Sequence, residues 1–310
     1  MKKIIPVALG VSALLLGGLH NYKKAVERSD KSFLDQDPAM PSDTVTLDAD
    51  KMTGDQWFKD VGAKDISLVS FDGLKLHALY IPSEEESNRF ALIAHGYSGK
   101  GRNMISVAKL YRDKLHCNIL LPDARGHGQS EGDYIGFGWH DHFDQLMWLQ
   151  YILLSHPKTS KIVLHGVSMG ASTVLMTSGA RALPEQVAAV VSDCAYTSAQ
   201  AELAYQMKRL YHIPAFPLLQ ATDFWTRVKA GYSFKEASAL EQVKKSHVPT
   251  LFIHGDEDAF VPYEMVHELY NACPAPKDLY IVPGAGHGNA YRIAGAAYEK
   301  SVLDFVGPLL

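Results

Sequence analysis

From about Val61 to the C-terminus, short apolar runs alternate with stretches whose apolar positions recur every three or four residues. I-S-L-V-S-F and L-K-L-H-A-L-Y-I flank Asp72-Gly73 and read as a hairpin, since that pair tolerates the backbone of a tight turn. F-A-L-I-A-H, C-N-I-L-L-P-D, K-I-V-L-H, V-A-A-V-V-S-D, P-T-L-F-I-H-G-D and D-L-Y-I-V-P then read as strands. Between and after them, residues 104–114, 139–155, 171–181 and 290–306 carry helical spacing. A hairpin followed by strand–helix alternation predicts an α/β domain, with a mostly parallel central sheet and helices on both faces.

Two regions depart from that rhythm. After Asp193 come roughly 50 residues of mixed aromatic and polar character before the next strand, far more than an ordinary crossover. Residues of about 197–246 are expected to form a small helical cap over the C-terminal edge of the sheet; the alternative is an extra core layer. The N-terminus begins M-K-K and continues with an uncharged run of about 16 residues, I-I-P-V-A-L-G-V-S-A-L-L-L-G-G-L. That is just short of the ~20 residues a spanning helix needs. Residues 1–22 are read as an uncleaved signal anchor or a signal peptide; the G-G-L-H-N-Y end is a weak match to a small-x-small cleavage site. A buried N-terminal helix is the remaining alternative. In the anchored case Lys2 and Lys3 stay cytoplasmic and the body is membrane-anchored outside the cell; after cleavage it is secreted. Residues 23–60 are polar and read as a stalk, with Val26 to Asp37 as a juxtamembrane helix. The domain then occupies 61–310.

Charge and cysteine usage narrow the class. Thirty Lys and Arg against 34 Asp and Glu leave a net charge of −4, so no basic excess points to nucleic acid. Three single cysteines make no disulfide framework, and the 14 histidines fall in no metal-ligand pattern. Neither a metal nor a cofactor is expected, and no feature fixes an oligomeric state.

The chemistry is concentrated in G-V-S-M-G, residues 166–170. A β-branched strand enters it and a helix leaves it, which is the setting of a nucleophile elbow. Gly166 and Gly170 remove side chains that would collide in so sharp a turn. Ser168 is thereby the candidate nucleophile, and the Met169 N–H at the helix start is a candidate oxyanion donor. A serine hydroxyl needs a base. His287, in the loop G-A-G-H-G-N after the last strand, is the candidate. The imidazole needs an acid to orient it. H-G-D-E-D-A-F-V-P supplies Asp258, with Asp256 assigned to ordering the turn and Asp193 as the runner-up acid. In H-G-Y-S-G, the Tyr97 N–H is expected to complete the oxyanion hole, while His95 shapes the turn without moving protons. D-A-R-G-H-G-Q-S-E-G is read as a structural brace in which Arg125 and Asp123 satisfy backbone groups, not as a second centre built on His127. His140, Asp141, His142 and Asp144 are read as a solvated helix start. The insertion's Trp225, Phe224 and Phe216, with Tyr205 and Tyr211, are expected to supply an apolar or aromatic substrate pocket.

At these residues the sequence resembles the α/β-hydrolase superfamily. H-G-Y-S-G, D-x-R-G-H-G-x-S, G-V-S-M-G, H-G-D-E-D-x-x-V-P and G-A-G-H occur in the superfamily's order and cover nearly all of Ser70 to Leu310. The resemblance implies the α/β-hydrolase fold and ester hydrolysis through an acyl-enzyme on a small-molecule ester. D-C-A-Y-T-S and Y-S-F-K-E-A-S-A-L look like a narrower bacterial group of membrane-anchored or secreted, prolyl-oligopeptidase-like and cell-surface esterases. A peptidase or amidase, or an acyltransferase, would use the same triad, and a binding protein on this fold is the non-enzymatic alternative. No propeller-length segment precedes the domain to gate peptides, and serine rather than aspartate at 168 speaks against a dehalogenase.

Overall fold

The computed structural model describes residues 4–31, 34, 37–40 and 51–310. Eight strands form one sheet: β1 (Lys64–Val69), β2 (Lys75–Ile81), β3 (Arg89–Ala94), β4 (Asn118–Pro122), β5 (Lys161–Val167), β6 (Val187–Asp193), β7 (Thr250–Gly255) and β8 (Lys277–Val282). Their spatial order is β1-β2-β4-β3-β5-β6-β7-β8. β1 and β2 are antiparallel, β2 meets β4 antiparallel, and every later pairing is parallel. β4 and β7 are buried at every position, as strands covered on both faces must be. β1 lies at the edge and alternates exposed with half-buried positions.

The side chains of each central strand divide between two apolar layers. Leu164, Val190 and Phe252 join Trp148 on one face; Val163, Val191 and Ile253 join Tyr111 and Tyr298 on the other. The covering helices are α1 (Ile4–Ala25), α2 (Lys51–Asp60), α3 (Ile105–Leu115), α4 (Trp139–Ser155), α5 (Met169–Ser178), α6 (Ala199–Tyr211), α7 (Leu218–Ala230), α8 (Ala239–Val243), α9 (Glu264–Ala272), α10 (Ala290–Ala294) and α11 (Ala296–Val306). The last predicted helix is broken in two at Gly295, whose φ of 50° no regular helix accepts. The long insertion folds as α6, α7 and α8, with an isolated bridge between Ser198 and Ser238 pinning its two ends together.

Among the described residues no helix is long and apolar enough to cross a membrane. The second half of α1 packs on α7. Gly18, Tyr22 and Val26 form a buried stripe at helical spacing. A Cβ at Gly18 would lie 2.5 Å from the Ala221 backbone, so only glycine permits this crossing. Of the juxtamembrane helix expected over Val26 to Asp37, Val26 to Lys31 is not helical and residues 32, 33, 35 and 36 lie outside the described residues, as do 41–50 of the expected stalk; residues 27, 28 and 37 contact the domain. Glu27 bridges Tyr134, Arg28 donates to the carbonyls of Ser130 and Gly128 at 2.8 and 3.0 Å, and Asp37 accepts from Arg209 Nη1 at 2.8 Å. α2 lies within the same region.

A buried charge cluster supports the loop after β4. The Arg125 guanidinium is fully buried and grips Asp144 through Nε and Nη2, both at 2.7 Å, with Asp72 at 2.9 Å from Nη1. Arg125 therefore pairs with carboxylates, not with the backbone groups expected for it. Asp123 does accept backbone N–H groups, from Gly101 and Gln129, each at 2.8 Å. Asp141, His142 and Asp144 are buried, so the solvated helix start is corrected. Asp141 caps Gly138 N–H at 2.8 Å, and Asp144 is turned inward by Arg125 from an earlier loop. Replacing Arg125 with methionine should leave Asp144 buried and unpaired and cost about 3–5 kcal/mol. Urea denaturation should show it as a lowered midpoint with folding still cooperative.

Candidate active site

The site begins with the turn between β5 and α5. Ser168 has φ 57° and ψ −119°, a conformation strained for any residue with a Cβ. The turn closes only because its flanks lack side chains. A Cβ on Gly166 would stand 2.1 Å from Gly170 O, and one on Gly170 would stand 2.2 Å from Ala94 O. Ser168 is thus pitched off the sheet at the first turn of α5.

Ser168 Oγ lies 2.8 Å from His287 Nε2, and His287 Nδ1 lies 2.8 Å from Asp258 Oδ2. Asp258 is fixed in turn. Its Oδ1 accepts the N–H groups of Phe260 and Val261 at 2.9 and 2.8 Å, and His254 Nε2 stands 3.1 Å from Oδ2. Burial raises the Asp258 pKa, but the facing charge of His287 and the hydrogen bonds from both histidines outweigh it and hold the carboxyl well below its ordinary range. For His287 burial works against the charged form, and the Asp258 carboxylate more than reverses that, so the imidazole sits above its usual pKa. Asp193, the runner-up acid, points elsewhere: its Oδ2 accepts the Tyr298 hydroxyl at 2.9 Å, and burial pushes it up to about 6. Asp256, expected to order its own turn, instead ties that turn through its side chain to the loop before His287, accepting Gly284 N–H at 2.7 Å.

The H-G-Y-S-G loop closes over Ser168. A Cβ on Gly96 would touch the Ser168 Cβ at 3.5 Å. Two interactions clamp this loop from outside. His95 Nδ1 donates to Gly96 O at 2.7 Å while its Nε2 accepts from Ala124 N–H at 2.9 Å, and burial holds the ring neutral, near pKa 4. His127 Nε2 lies 2.7 Å from Tyr97 O. Tyr97 and Met169 both line the cleft that contains Ser168, and the Met169 N–H opens α5, where a helix offers unpaired donors.

Two clefts meet at Ser168. The larger, an open space of about 910 Å³, runs under the cap between Met169, Tyr196, Met207, Leu219 and the end of α1 at Lys24 and Ala25. The smaller, about 700 Å³, opens past His287, Gly288 and Ser98. Of the predicted pocket aromatics, Trp225, Phe224, Phe216 and Tyr205 line neither cleft. Phe216 is 71% exposed and Phe224 is 47% exposed. Trp225 turns toward α1 and donates Nε1–H to Leu15 O at 2.8 Å. α7 presents Leu219 and Thr222 to the cleft, while Trp225, one turn beyond Thr222, is drawn away to the α1 backbone. Tyr205 donates to Ala259 O at 2.9 Å, whereas Tyr211 does line the larger cleft.

Sequence reasoning missed several residues here. Phe260 packs tilted against the His287 ring, with centroids 4.9 Å apart, and Cys194, whose thiol burial pushes up to about 11, lies beside that ring. Among the described residues, Cys194, Asp258 and His287 are a group with metal-like spacing, but His287 Nδ1 is already taken by Asp258. His254 was visible four residues before Asp258. Glu202 carried no signal, since only the fold sets it beside Ser168.

The chain belongs to the alpha/beta hydrolase family, whose model matches residues 91–294. It is 29% identical over 249 residues to the uncharacterized protein YqkD of Bacillus subtilis, covering 76% of this chain and 81% of the relative. It is 28% identical over 266 residues to the uncharacterized protein YfhR of Escherichia coli K12, covering 83% and 84%. Among solved structures it is similar to the Pyrococcus furiosus esterase Pf2001, with TM-score 0.66 and 22% identity over 81% of this chain and 95% of that one. It is also similar to Est1E of Butyrivibrio proteoclasticus, solved with ferulic acid, with TM-score 0.60 and 19% identity over 78% and 99%. At these identities the structural likeness shows the fold.

Trp225→Ala should loosen α1 from α7 around Leu15 while leaving Lys24 and Ala25, more than two turns further on, in the cleft wall. The expected result is faster limited proteolysis within α1 with acyl-chain preference unchanged; a changed preference would return Trp225 to the pocket.

Proposed function

We propose that this alpha/beta hydrolase is a carboxylic-ester hydrolase acting through an acyl-serine intermediate. One observation carries the reading: the continuous line Ser168 Oγ–His287 Nε2, His287 Nδ1–Asp258 Oδ2, each link 2.8 Å, standing where two clefts meet. In this reading Ser168 Oγ attacks the carbonyl carbon as His287 takes its proton. The N–H groups of Tyr97 and Met169 hold the oxyanion. His287 returns the proton to the departing alkoxide, the ester C–O bond breaks, and a water activated by the same imidazole releases the acid. Asp258 fixes the tautomer and faces the imidazolium charge. No cofactor enters this scheme.

The two clefts divide the substrate. The leaving oxygen must reach His287, so the alcohol side belongs in the smaller cleft, lined by His287 and Gly288. The acyl chain then takes the larger, apolar cleft beneath α6 and α7. Its apolar walls favour an extended hydrocarbon chain. Because Asn21, Lys24 and Ala25 form part of that wall, we read the N-terminal segment as retained in the working protein. Mass spectrometry of the protein recovered from its native host should find residues 21–25 present; a mature start beyond residue 25 would count against this.

The assay is a series of p-nitrophenyl esters of graded acyl length beside an aminoacyl p-nitroanilide. Ser168→Ala should lower ester turnover by about 10³-fold or more. Asp258→Asn should cost about 10³–10⁴-fold and Asp193→Asn little. Cleavage of the anilide alone would hand the site to a peptidase. Met207→Trp should shift preference toward short acyl chains by filling the larger cleft. The raised pKa of His287 sets the sign of the pH profile: the imidazole accepts a proton only when neutral, so kcat/KM should climb along a limb lying above pH 6.5. A limb well below that value would overturn the coupling assigned to Asp258.

A further inference from the structure

Glu202 is a carboxyl group in the wall of an otherwise apolar cleft. It is 5% exposed, and it lines the same space as Ser168 and Met169. Most other polar side chains of that wall are already engaged, Asn21 at the α1 end apart. Tyr97 OH donates to Ala25 O at 2.5 Å, Tyr196 OH to Phe137 O at 3.0 Å, and Thr222 Oγ1 to Leu218 O at 3.0 Å. Glu202 is half engaged. Its Oε1 accepts from Gln206 Nε2 at 2.7 Å, and its Oε2 has no partner among the described residues.

The orientation of this carboxyl is enforced from behind. Gln206 Oε1 accepts from Arg209 Nε and Nη2, at 3.0 and 2.7 Å, so its amide NH₂ must face Glu202 and Phe260 O. Arg209 is itself held by Asp37. The chain Asp37–Arg209–Gln206–Glu202 thus leaves one buried, unfulfilled oxygen atom on a residue that lines a largely apolar cleft. A buried polar atom without a partner is costly, and such atoms in folded proteins call for an explanation.

Resting on the ester-hydrolase reading above, we propose that Glu202 is a specificity-determining residue that selects acyl chains bearing a hydroxyl group, which hydrogen-bonds to the Glu202 carboxyl. A neutral hydroxyl suits the site better than a cation. The surrounding wall offers an ammonium no second carboxylate, and Lys24 stands on the same cleft with its own positive charge. The charged groups acting on Glu202 are His287, Asp258 and Arg209, and burial pushes the carboxyl up to about 7, so the environment disfavours net charge there. A site built to hydrogen-bond a substrate hydroxyl discriminates strongly against the chain that lacks it, because the buried carboxyl then stays unpaired.

The test compares p-nitrophenyl octanoate with its mono-hydroxylated positional isomers on wild type, Glu202→Gln and Glu202→Met. Wild type should favour at least one hydroxylated isomer by about tenfold or more in kcat/KM. Glu202→Met should lose that preference while still cleaving the plain chain, and Glu202→Gln, which keeps an acceptor, should retain part of it. In parallel, Ser168→Ala is titrated calorimetrically with octanamide and the matching hydroxyoctanamides. This arm reads recognition without catalysis. Hydroxyl-selective binding with no ester turnover in wild type would sink the hydrolase reading and leave the role of Glu202 standing. Equal binding of hydroxylated and plain amides, or a preference that survives in Glu202→Met, overturns the proposal.

Discussion

Everything in the site hangs from one constraint, the forced turn at Ser168. A residue with a Cβ is held at φ 57° because the chain must pass from the end of β5 into α5 within a single residue. The space for that passage is set by backbone, not side chains: Gly166 meets Gly170, and Gly170 meets the end of β3. Three neighbouring segments are therefore locked to one another at the point where Ser168 projects. The loops bearing Tyr97 and His287 converge on this point from the C-terminal ends of β3 and β8, the side of a parallel sheet where ligand sites form.

Around that turn the structure uses histidines in contrasting ways. His95 is buried, neutral and divided between a donor and an acceptor role, so it welds two loops. His165 lies deeper, between the hydroxyls of Tyr111 and Tyr298, and burial holds it near pKa 3. His287 alone of these three faces a carboxylate, and it is pushed the opposite way. The difference is not depth, since all three are buried; it is whether a compensating charge stands opposite.

Much of this could be read along the chain, and the failures share a cause. The sheet and its order of loops follow from local runs and turn residues, which is why Ser168, Asp258 and His287 could be chosen from their places after successive strands. Trp225 could not be assigned: its helix has several faces, and only the position of α1 decides which one meets the cleft. Asp144 misled for the same reason. Near a helix start an aspartate satisfies a local rule, but its real partner, Arg125, comes from another loop. Nor does the composition of the N-terminal run register that Gly18 leaves room for the Ala221 backbone. Side chains whose partners lie far away in sequence are the ones local pattern misplaces.

The contact between α1 and α7 has a consequence for how the protein is made. Leu15 and Trp225 lie 210 residues apart in the chain. A ribosome delivers α1 first and α7 only after more than two thirds of the polypeptide has emerged, and domains are built from the N-terminus onward at a finite rate. Until then Gly18, the point of closest approach in that crossing, has no surface of its own chain to meet. The wall of the larger cleft is thus completed late in synthesis, by the joining of the earliest segment to one of the later ones. Such distant pairing slows assembly, because a long loop must close before the contact yields anything.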